Sequence, residues 1–375
     1  MKHNRAARFA YASIAAMLGM MISAFPAFGQ GQTAPSGAAS AQLPPDAPKP
    51  PYRRIVDGPE TLNPGPYPKG FPYPDEYDSA VAASEVHHVR YLNSHVRLVE
   101  VAYFPGVHGQ MHGHPFPSVF AVDSPVPKGY NINLDPQNKV NFGRGTTAKG
   151  AIYPNCRTMS PQAPHAETNQ DTWPHHFYRL EFLRVDGKGI QDHWKKWYPE
   201  LVNPEFAVSS LKDSDKTSKF SVEWPYSISF DSLRAAPASY KLLYEDDHIR
   251  LVEFILRPGE TEAMEGDPYP SIVAEDAIPG SKLEDKPLDP NHANNPSDVG
   301  RVPSPAGFDV PTCFVYGPQT PHALHNTGAV PVHYYRIDFK RIDGDGIKTH
   351  WREWYPWMGK LTDEYRAHPY LSNYY

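Results

Sequence analysis

Three histidines in the first half of the sequence have the spacing of a metal site. His112 and His114 stand two positions apart. Residues i and i+2 of a β-strand point to the same face of a sheet, so both imidazoles can bind one ion. His165, in the segment Pro-His-Ala-Glu-Thr-Asn, offers a third imidazole. We therefore predict that His112, His114 and His165 bind a divalent metal ion.

A fourth histidine, His108, lies four residues before His112, and three roles are open for its side chain. It approaches the same ion, it acts as a general base beside that ion, or it points to solvent. The role of base is its candidate catalytic role. The alternative for the whole group is a set of surface or core histidines, since the chain contains 18 of them.

The sequence repeats itself. Residues 91–106 return as residues 244–259, and residues 178–199 return as residues 335–356. Self-similarity of this length indicates two copies of one folded unit. The copies differ at the metal motif, where the three residues His108, His112 and His114 are replaced by Thr261, Glu265 and Asp267.

Short segments rich in β-branched and aromatic residues fill both copies, and Pro-Gly or Asp-Gly pairs bound them. These are strand and turn signals. Only residues 186–199 and 343–356 have a helical pattern, each after the last strand of its copy. Two all-β units with closely spaced turns predict sandwiches or barrels.

The motif residues resemble those of the cupin superfamily. Gly106 is followed after five residues by His112 and His114, as in the first motif of that family, and His165 and Asn169 match the end of the second. The resemblance covers about residues 80–356. It implies an all-β bicupin of two tandem jelly-roll barrels, the double-stranded β-helix, with short helices after the last strand of each.

The family's usual acidic ligand is missing, because Ser118 or Val119 stands at its position. A three-histidine site of the kind some thiol-oxidising cupins use is the closer analogy. Such a site with open positions favours Fe(II), with Mn(II), Zn(II) or Cu(II) as other candidates. The resemblance implies a dioxygenase-like oxidoreductase acting on a small organic substrate. Its alternatives are a cupin decarboxylase or isomerase, a non-catalytic metal or small-ligand binding protein, and a protein whose histidines are idle.

The second copy keeps the spacing but exchanges imidazole for carboxylate. Glu265, Asp267 and His322 could hold a hard cation through oxygen ligands, and Asn326 keeps the end of the second motif. A short acidic pair is also typical of a solvated rim or a lapsed site. We favour a degenerate, structural second copy.

The N-terminus has the pattern of a secretory signal peptide. Lys2, Arg5 and Arg8 precede an uncharged apolar run, and a small-residue site lies near Gly29. The alternative is a single membrane anchor, but the run is short and interrupted. We predict cleavage near Gly29, a periplasmic or secreted protein, and no stable membrane anchor after cleavage.

Composition fits a soluble globular chain of 375 residues, 21% of them charged and 40% hydrophobic. A formal net charge of −6 argues against nucleic acid as a partner. The expected partner is a small molecule, and the aromatic tails of the two copies are compatible with a homodimer. The predicted segments are a leader at 1–29, a Pro/Ala-rich arm at 30–79, a first repeat at 80–199, a linker at 200–237, a second repeat at 238–356 and a tail at 357–375.

Cys156 and Cys313 occupy equivalent places in the two copies. An oxidising compartment would permit a disulfide between them. Equivalent positions in two cores need not approach each other, so two buried thiols are an equally good expectation.

Overall fold

The computed structural model describes residues 73–125, 128–134, 154–183, 194–203, 224–275, 278–289, 300–302, 312–341 and 346–367. The predicted leader lies outside these residues, as do the arm up to residue 72 and most of the linker. Within the described residues, no helix is both long enough and apolar enough to cross a bilayer.

The first unit consists of two antiparallel sheets. The larger has the strand order β1-β2-β8-β4-β6 and the smaller the order β3-β7-β5. Because neighbours in the sheets are distant in sequence, strand pairing brings together residues more than 50 positions apart. The strands are β1 His87–Leu92, β2 Val96–Tyr103, β3 His112–His114, β4 Ser118–Val122, β5 Gly129–Asn133, β6 Asn155–Met159, β7 Gln162–Asn169 and β8 His175–Phe182.

The second unit repeats this plan. Its larger sheet has the order β14-β15-β12-β17-β10-β9 and its smaller sheet the order β11-β16-β13. The prediction of two all-β double-sheet units is thus confirmed. The strands are β9 Tyr240–Glu245, β10 Ile249–Leu256, β11 Glu265–Asp267, β12 Ser271–Glu275, β13 Leu283–Pro287, β14 Gly300–Val302, β15 Thr312–Tyr316, β16 Gln319–Asn326 and β17 Val332–Phe339.

Helices are few and short. Short helices follow the last strand of each unit, as the sequence predicted. In the first unit they begin with a helical turn at 194–197. Asp78 and Asp231 cap the first helix of their units, each accepting a hydrogen bond from a backbone N–H two residues later. The helices are α1 Ser79–Ala82, α2 Pro199–Val202, α3 Ser232–Ala235, α4 Gly346–Trp354 and α5 Pro356–Ala367.

The two larger sheets pack against each other. All eight residues of β2, β8, β10 and β17 are buried, because one face of each strand lines its own unit and the other meets the neighbouring unit. Tyr178 lies 6.2 Å from Phe339 between ring centroids, and Phe182 lies 6.2 Å from Tyr335. The two units therefore share one hydrophobic core.

A disulfide between Cys156 on β6 and Cys313 on β15 joins the units, with a Cα–Cα distance of 6.5 Å. Of the two expectations for these residues, the structure shows the bridge. Both cysteines are buried in the shared core. The packing of the larger sheets thus brings equivalent strands of the two units together, and an equivalent pair of residues meets there.

Aromatic residues after the last strand of each unit reach into the other unit. Tyr198 stacks on His95 of its own unit, with ring centroids 4.5 Å apart, and lies 4.8 Å from His333 of the second unit. Tyr355 of the second unit makes the equivalent contacts. Its ring centroid lies 4.2 Å from that of His248 in its own unit and 4.4 Å from that of His176 in the first unit. The repeated tyrosines are thus reciprocal contacts between the units.

The C-terminal helices complete the core of the first unit. Ile347, Trp351 and Met358 of α4 and α5 are buried in one cluster with Val99 and Phe120. A hydrophobic core in the first half of the chain is therefore completed by helices near the C-terminal end of the described residues.

His176, between the units, is a buried cation. Its Nδ1 lies 2.7 Å from Asp123 Oδ1 and its Nε2 lies 3.0 Å from Glu100 Oε1. Burial alone lowers its pKa, but the attraction of Asp123 and Glu100 outweighs burial and raises the pKa to about 9. The imidazole of His176 therefore holds its proton more tightly in the folded protein than in the unfolded chain.

A pH dependence of stability follows. Because the folded pKa of His176 exceeds the unfolded value near 6.5, its contribution is complete below about pH 6.5 and is lost as the pH rises toward 9. We expect the unfolding free energy to fall over that interval by a few kcal/mol. In His176→Gln this slope should disappear. Urea unfolding at several pH values measures it, with His175→Gln as control, since burial lowers the pKa of His175 to about 3. An unchanged slope in His176→Gln would contradict the assignment.

Candidate metal centre

Four imidazoles converge inside the first unit. Ring nitrogens of His87, His112 and His114 lie within 4.8 Å of one another, and the ring of His165 lies beside that of His112. Ring centroids of His112 lie 4.4 Å from His87, 5.0 Å from His114 and 4.7 Å from His165. Each of the four side chains is more than nine-tenths buried. We call these residues the four-histidine centre.

Sheet pairing positions three of these side chains. In the smaller sheet His112 stands directly opposite His165, and the register shifts before His114. Both ends of β3 are buried, so the two-residue spacing places His112 and His114 in the interior as predicted. His87 arrives from β1 of the larger sheet, opposite Val101. The centre thus lies between the two sheets of the unit.

The ring nitrogens are oriented for metal binding. The Nδ1 atoms of His112 and His165 lie 2.8 Å and 2.9 Å from backbone carbonyls of Gln110 and Ala163. An Nδ1–H that donates to a carbonyl leaves Nε2 with its lone pair free to bind a metal. His87 has the same arrangement, with Nδ1 at 3.2 Å from the carbonyl of Ala83.

Burial keeps these imidazoles neutral. It lowers the pKa of His87, His112 and His114 well below the usual value, and the nearby positive charge of Arg179 adds to the effect. Burial likewise lowers the pKa of His165 to about 4. Neutral imidazole is the form that binds a divalent ion, so the donor set fits Zn, Cu, Fe or Ni chemistry.

A buried ionic group supports one side of the centre. His114 Nδ1 lies 3.4 Å from Glu181 Oε1, and Glu181 is also paired with Arg97 and Arg179. Arg97 in turn pairs with Asp78 at the cap of α1, at 3.0 Å. The ring of His114 thus lies beside a buried carboxylate, but Nδ1 and Oε1 form no hydrogen bond with each other.

Tyr103 is a polar neighbour of the centre that the sequence analysis did not identify. Its hydroxyl lies 3.3 Å from His112 Nε2 and donates a hydrogen bond to it when Nδ1 of that ring carries the proton. A Cβ atom on Gly109 would lie 2.7 Å from Tyr103 Cε1. Gly109 therefore makes room for the tyrosine ring.

Glu167 is a second missed candidate. It lies two residues after His165 on β7 and is only partly exposed. Burial raises the pKa of its carboxyl to about 7, against the opposing effect of Arg179. This carboxyl can therefore hold or release a proton near neutral pH.

His108 lies on the other side of β7. It forms an isolated bridge with Thr168, and its Nδ1 contacts the threonine hydroxyl. The second unit has the same pair with the residue types exchanged, since the hydroxyl of Thr261 lies 2.8 Å from Nδ1 of His325. The exchanged pair favours a cross-strand structural contact, and the catalytic role of His108 stays a prediction.

The acidic residues that meet in the second unit differ from those expected from the sequence. Glu265 stands opposite His322, as its counterpart does in the first unit. Asp267 instead pairs with Arg336, at 2.5 Å. Glu262, which the sequence analysis did not select, joins Glu265 and His322, with ligand atoms within 4.8 Å of one another.

No family model matches the sequence, and no curated protein matches it at a significant level. Several solved structures are similar. One is a cupin domain from Bordetella pertussis, with 10% identity, a TM-score of 0.20, and coverage of 27% of this chain and 92% of that one. Another is a mutant oxalate decarboxylase from Bacillus subtilis, with 13% identity, a TM-score of 0.22, and coverage of 70% and 77%.

A salicylate 1,2-dioxygenase from Pseudaminobacter salicylatoxidans is also similar, with 11% identity, a TM-score of 0.19, and coverage of 66% of this chain and 72% of that one. These values are too low to support an argument about activity. The agreement with the cupin fold rests on the paired sheets of each unit and on the motif histidines at their interior.

Proposed function

From the premise that this chain has the bicupin fold, we propose that it is an exported metal-dependent oxidoreductase acting on a small organic substrate. One observation carries the proposal: buried imidazoles of His87, His112 and His114 offer ring nitrogens within 4.8 Å of one another, and His165 lies beside them. Nδ1 of His114 is buried in this group and forms no hydrogen bond, which costs free energy.

His87, His112, His114 and His165 would hold the ion. A bound divalent ion, with Fe(II) favoured and Mn(II), Zn(II) or Cu(II) as other candidates, would supply Lewis-acid or redox chemistry. Compared with the sequence prediction, the donor set gains His87. Small-molecule substrates suit a centre that lies between two sheets and is lined by buried side chains.

Two other side chains of the first unit have separate tasks. The hydroxyl of Tyr103 can donate a hydrogen bond to a substrate oxygen held near His112. The carboxyl of Glu167 can accept or return a proton, because burial keeps its pKa near neutrality. The barrel walls exclude bulk water, which strengthens both interactions.

Export is supported by two features. The N-terminal sequence has the pattern of a signal peptide. The disulfide between Cys156 and Cys313 is typical of an oxidising compartment. We propose that the mature protein is periplasmic or secreted.

The experiment is elemental analysis of the mature protein, followed by oxygen-consumption assays with small organic acids and phenols. We expect about one transition-metal ion in the first unit, and its loss together with the activity in His112→Ala/His114→Ala. His350→Ala, which changes an exposed histidine on α4, is the control and should retain both.

Other outcomes separate the alternatives. Bound metal with product formed but no oxygen consumed would replace the proposal by a decarboxylase or isomerase. Bound metal without turnover of any substrate would indicate a binding protein. Absence of metal after incubation with Fe(II), Mn(II), Zn(II) and Cu(II) would overturn the metalloenzyme assignment.

A further inference from the structure

The second unit contains its own buried group of metal-binding atoms. Glu262, Glu265 and His322 are 7%, 0% and 3% exposed, and their ligand atoms lie within 4.8 Å of one another. They lie in the interior of the second unit, at a place equivalent to that of the four-histidine centre in the first. The residue types, however, are two carboxylates and one imidazole.

Each carboxylate in this group has one oxygen in a hydrogen bond and one without. Glu262 Oε1 accepts a hydrogen bond from the backbone N–H of Leu324 at 2.9 Å, and Glu265 Oε1 accepts one from the hydroxyl of Tyr240 at 3.0 Å. The Oε2 atoms of both residues are buried and have no hydrogen-bond partner. Buried carboxylate oxygens without a partner are costly, and a cation would remove that cost.

The imidazole of the group is also prepared for a cation. His322 Nδ1 lies 2.8 Å from the carbonyl of Thr320, which leaves Nε2 as the acceptor. Nε2 lies 3.5 Å from Glu265 Oε1. The free lone pair and the free carboxylate oxygens thus belong to neighbouring side chains.

The nearby positive charges are already neutralised. Arg336 pairs with Asp267 at 2.5 Å and with Asp338 at 2.7 Å. Arg250 pairs with Asp231 and Asp338, both at 2.7 Å. These two arginines therefore face three aspartates, and Glu262 and Glu265 form no ion pair with either of them.

The group differs from the first centre at positions outside the motif as well. Glu262 occupies the position of Gly109, and Leu256 occupies the position of Tyr103. In the first unit a Cβ at Gly109 would meet the Tyr103 ring at 2.7 Å, so a glutamate there requires a smaller residue in place of the tyrosine. The second unit has both changes. Two matched changes indicate a site of different composition.

We propose that Glu262, Glu265 and His322 bind a second divalent cation, a first-row metal ion such as Mn²⁺ or Zn²⁺. Two carboxylates favour an ion with affinity for oxygen, and one imidazole places it among the first-row metals. Asp267 is not a ligand, because Arg336 holds it. This site is independent of the oxidoreductase activity proposed for the first unit.

The test uses the full-length protein, stripped with a chelator and titrated separately with Mn²⁺ and Zn²⁺. Bound metal is measured by equilibrium dialysis and elemental analysis. The wild type should bind about two ions per chain, and Glu262→Gln/Glu265→Gln about one. The substitution preserves side-chain shape. Glu260→Gln, an exposed neighbour, is the matched control and should bind as the wild type does.

The two sites can be distinguished. His112→Ala/His114→Ala should keep the second ion, and combining it with Glu262→Gln/Glu265→Gln should remove both. Equal ion content in Glu262→Gln/Glu265→Gln and the wild type, with both metals, would overturn the proposal. If that variant does not fold, His322→Gln takes its place, and the same comparison decides. A wild type whose one ion is lost in His112→Ala/His114→Ala would also overturn it.

Discussion

Replacement of His87 with Ala is expected to weaken divalent-ion binding at the four-histidine centre by 10- to 100-fold or more. Changes to residues that only orient a ligand already cost about 10- to 100-fold in metal affinity, and His87 offers a ligand atom itself. Its ring centroid lies 4.4 Å from that of His112 and 5.3 Å from that of His114. Competition with a chromogenic chelator measures the dissociation constant.

His88 provides the matched control for this experiment. It is the next residue on β1, and its ring lies 4.5 Å from Trp357 on α5. His88→Ala should bind the ion as the wild type does, because strand alternation turns the two side chains to opposite faces. Equal affinity in His87→Ala and His88→Ala would reduce the ligand set to the three histidines predicted from the sequence.

Removal of the disulfide is expected to lower the unfolding free energy by about 2–5 kcal/mol. The bridge joins residues 157 positions apart, and long closed loops lose the most chain entropy in the unfolded state. We expect Cys156→Ser/Cys313→Ser to unfold at lower denaturant concentration than the oxidised wild type. Equilibrium unfolding in guanidinium chloride measures the difference.

Reductant supplies the control for the disulfide. Dithiothreitol should destabilise the wild type toward the variant and leave the variant unchanged, because the variant has no bridge to reduce. A wild type that unfolds at the same denaturant concentration with and without reductant would show that the bridge does not contribute to stability.

The sequence predicted three of the four histidines of the centre. The spacing of His112 and His114 is informative because alternation along a strand is local, and His165 follows from its motif. His87 has no such signal. It reaches the centre through the pairing of β1 with β2 in the larger sheet, and its counterpart in the second unit is Tyr240. When only the pairing of strands brings a residue to a site, the spacing of residues in the sequence does not reveal its role.

In the second unit, the spacing of the motif did not identify the side chains that lie together. Matching motif positions selected Asp267, whereas the long side chain of Arg336, distant in sequence, pairs with it. Glu262 lies outside the motif and enters the group because Leu256 is smaller than a tyrosine. The identity of ligands in this unit thus depends on packing and on charge compensation, neither of which a single sequence displays.

The cysteines were undecided for a related reason. Equivalent residues of two repeats meet only where the axis relating the repeats passes between them, and the sequence carries no information on that axis. The packing of the larger sheets fixes its position and brings β6 to β15. The double-sheet fold of each unit, by contrast, follows from local strand and turn patterns.

The position of α4 and α5 has a consequence for the order of folding during synthesis. Domains ordinarily fold from the N-terminus as the ribosome releases them. Here the first unit lacks part of its core until Ile347, Trp351 and Met358 have been made. Its nascent form therefore exposes apolar surface for nearly the whole period of translation. The first unit can therefore complete its core only after the last helices of the chain have been made.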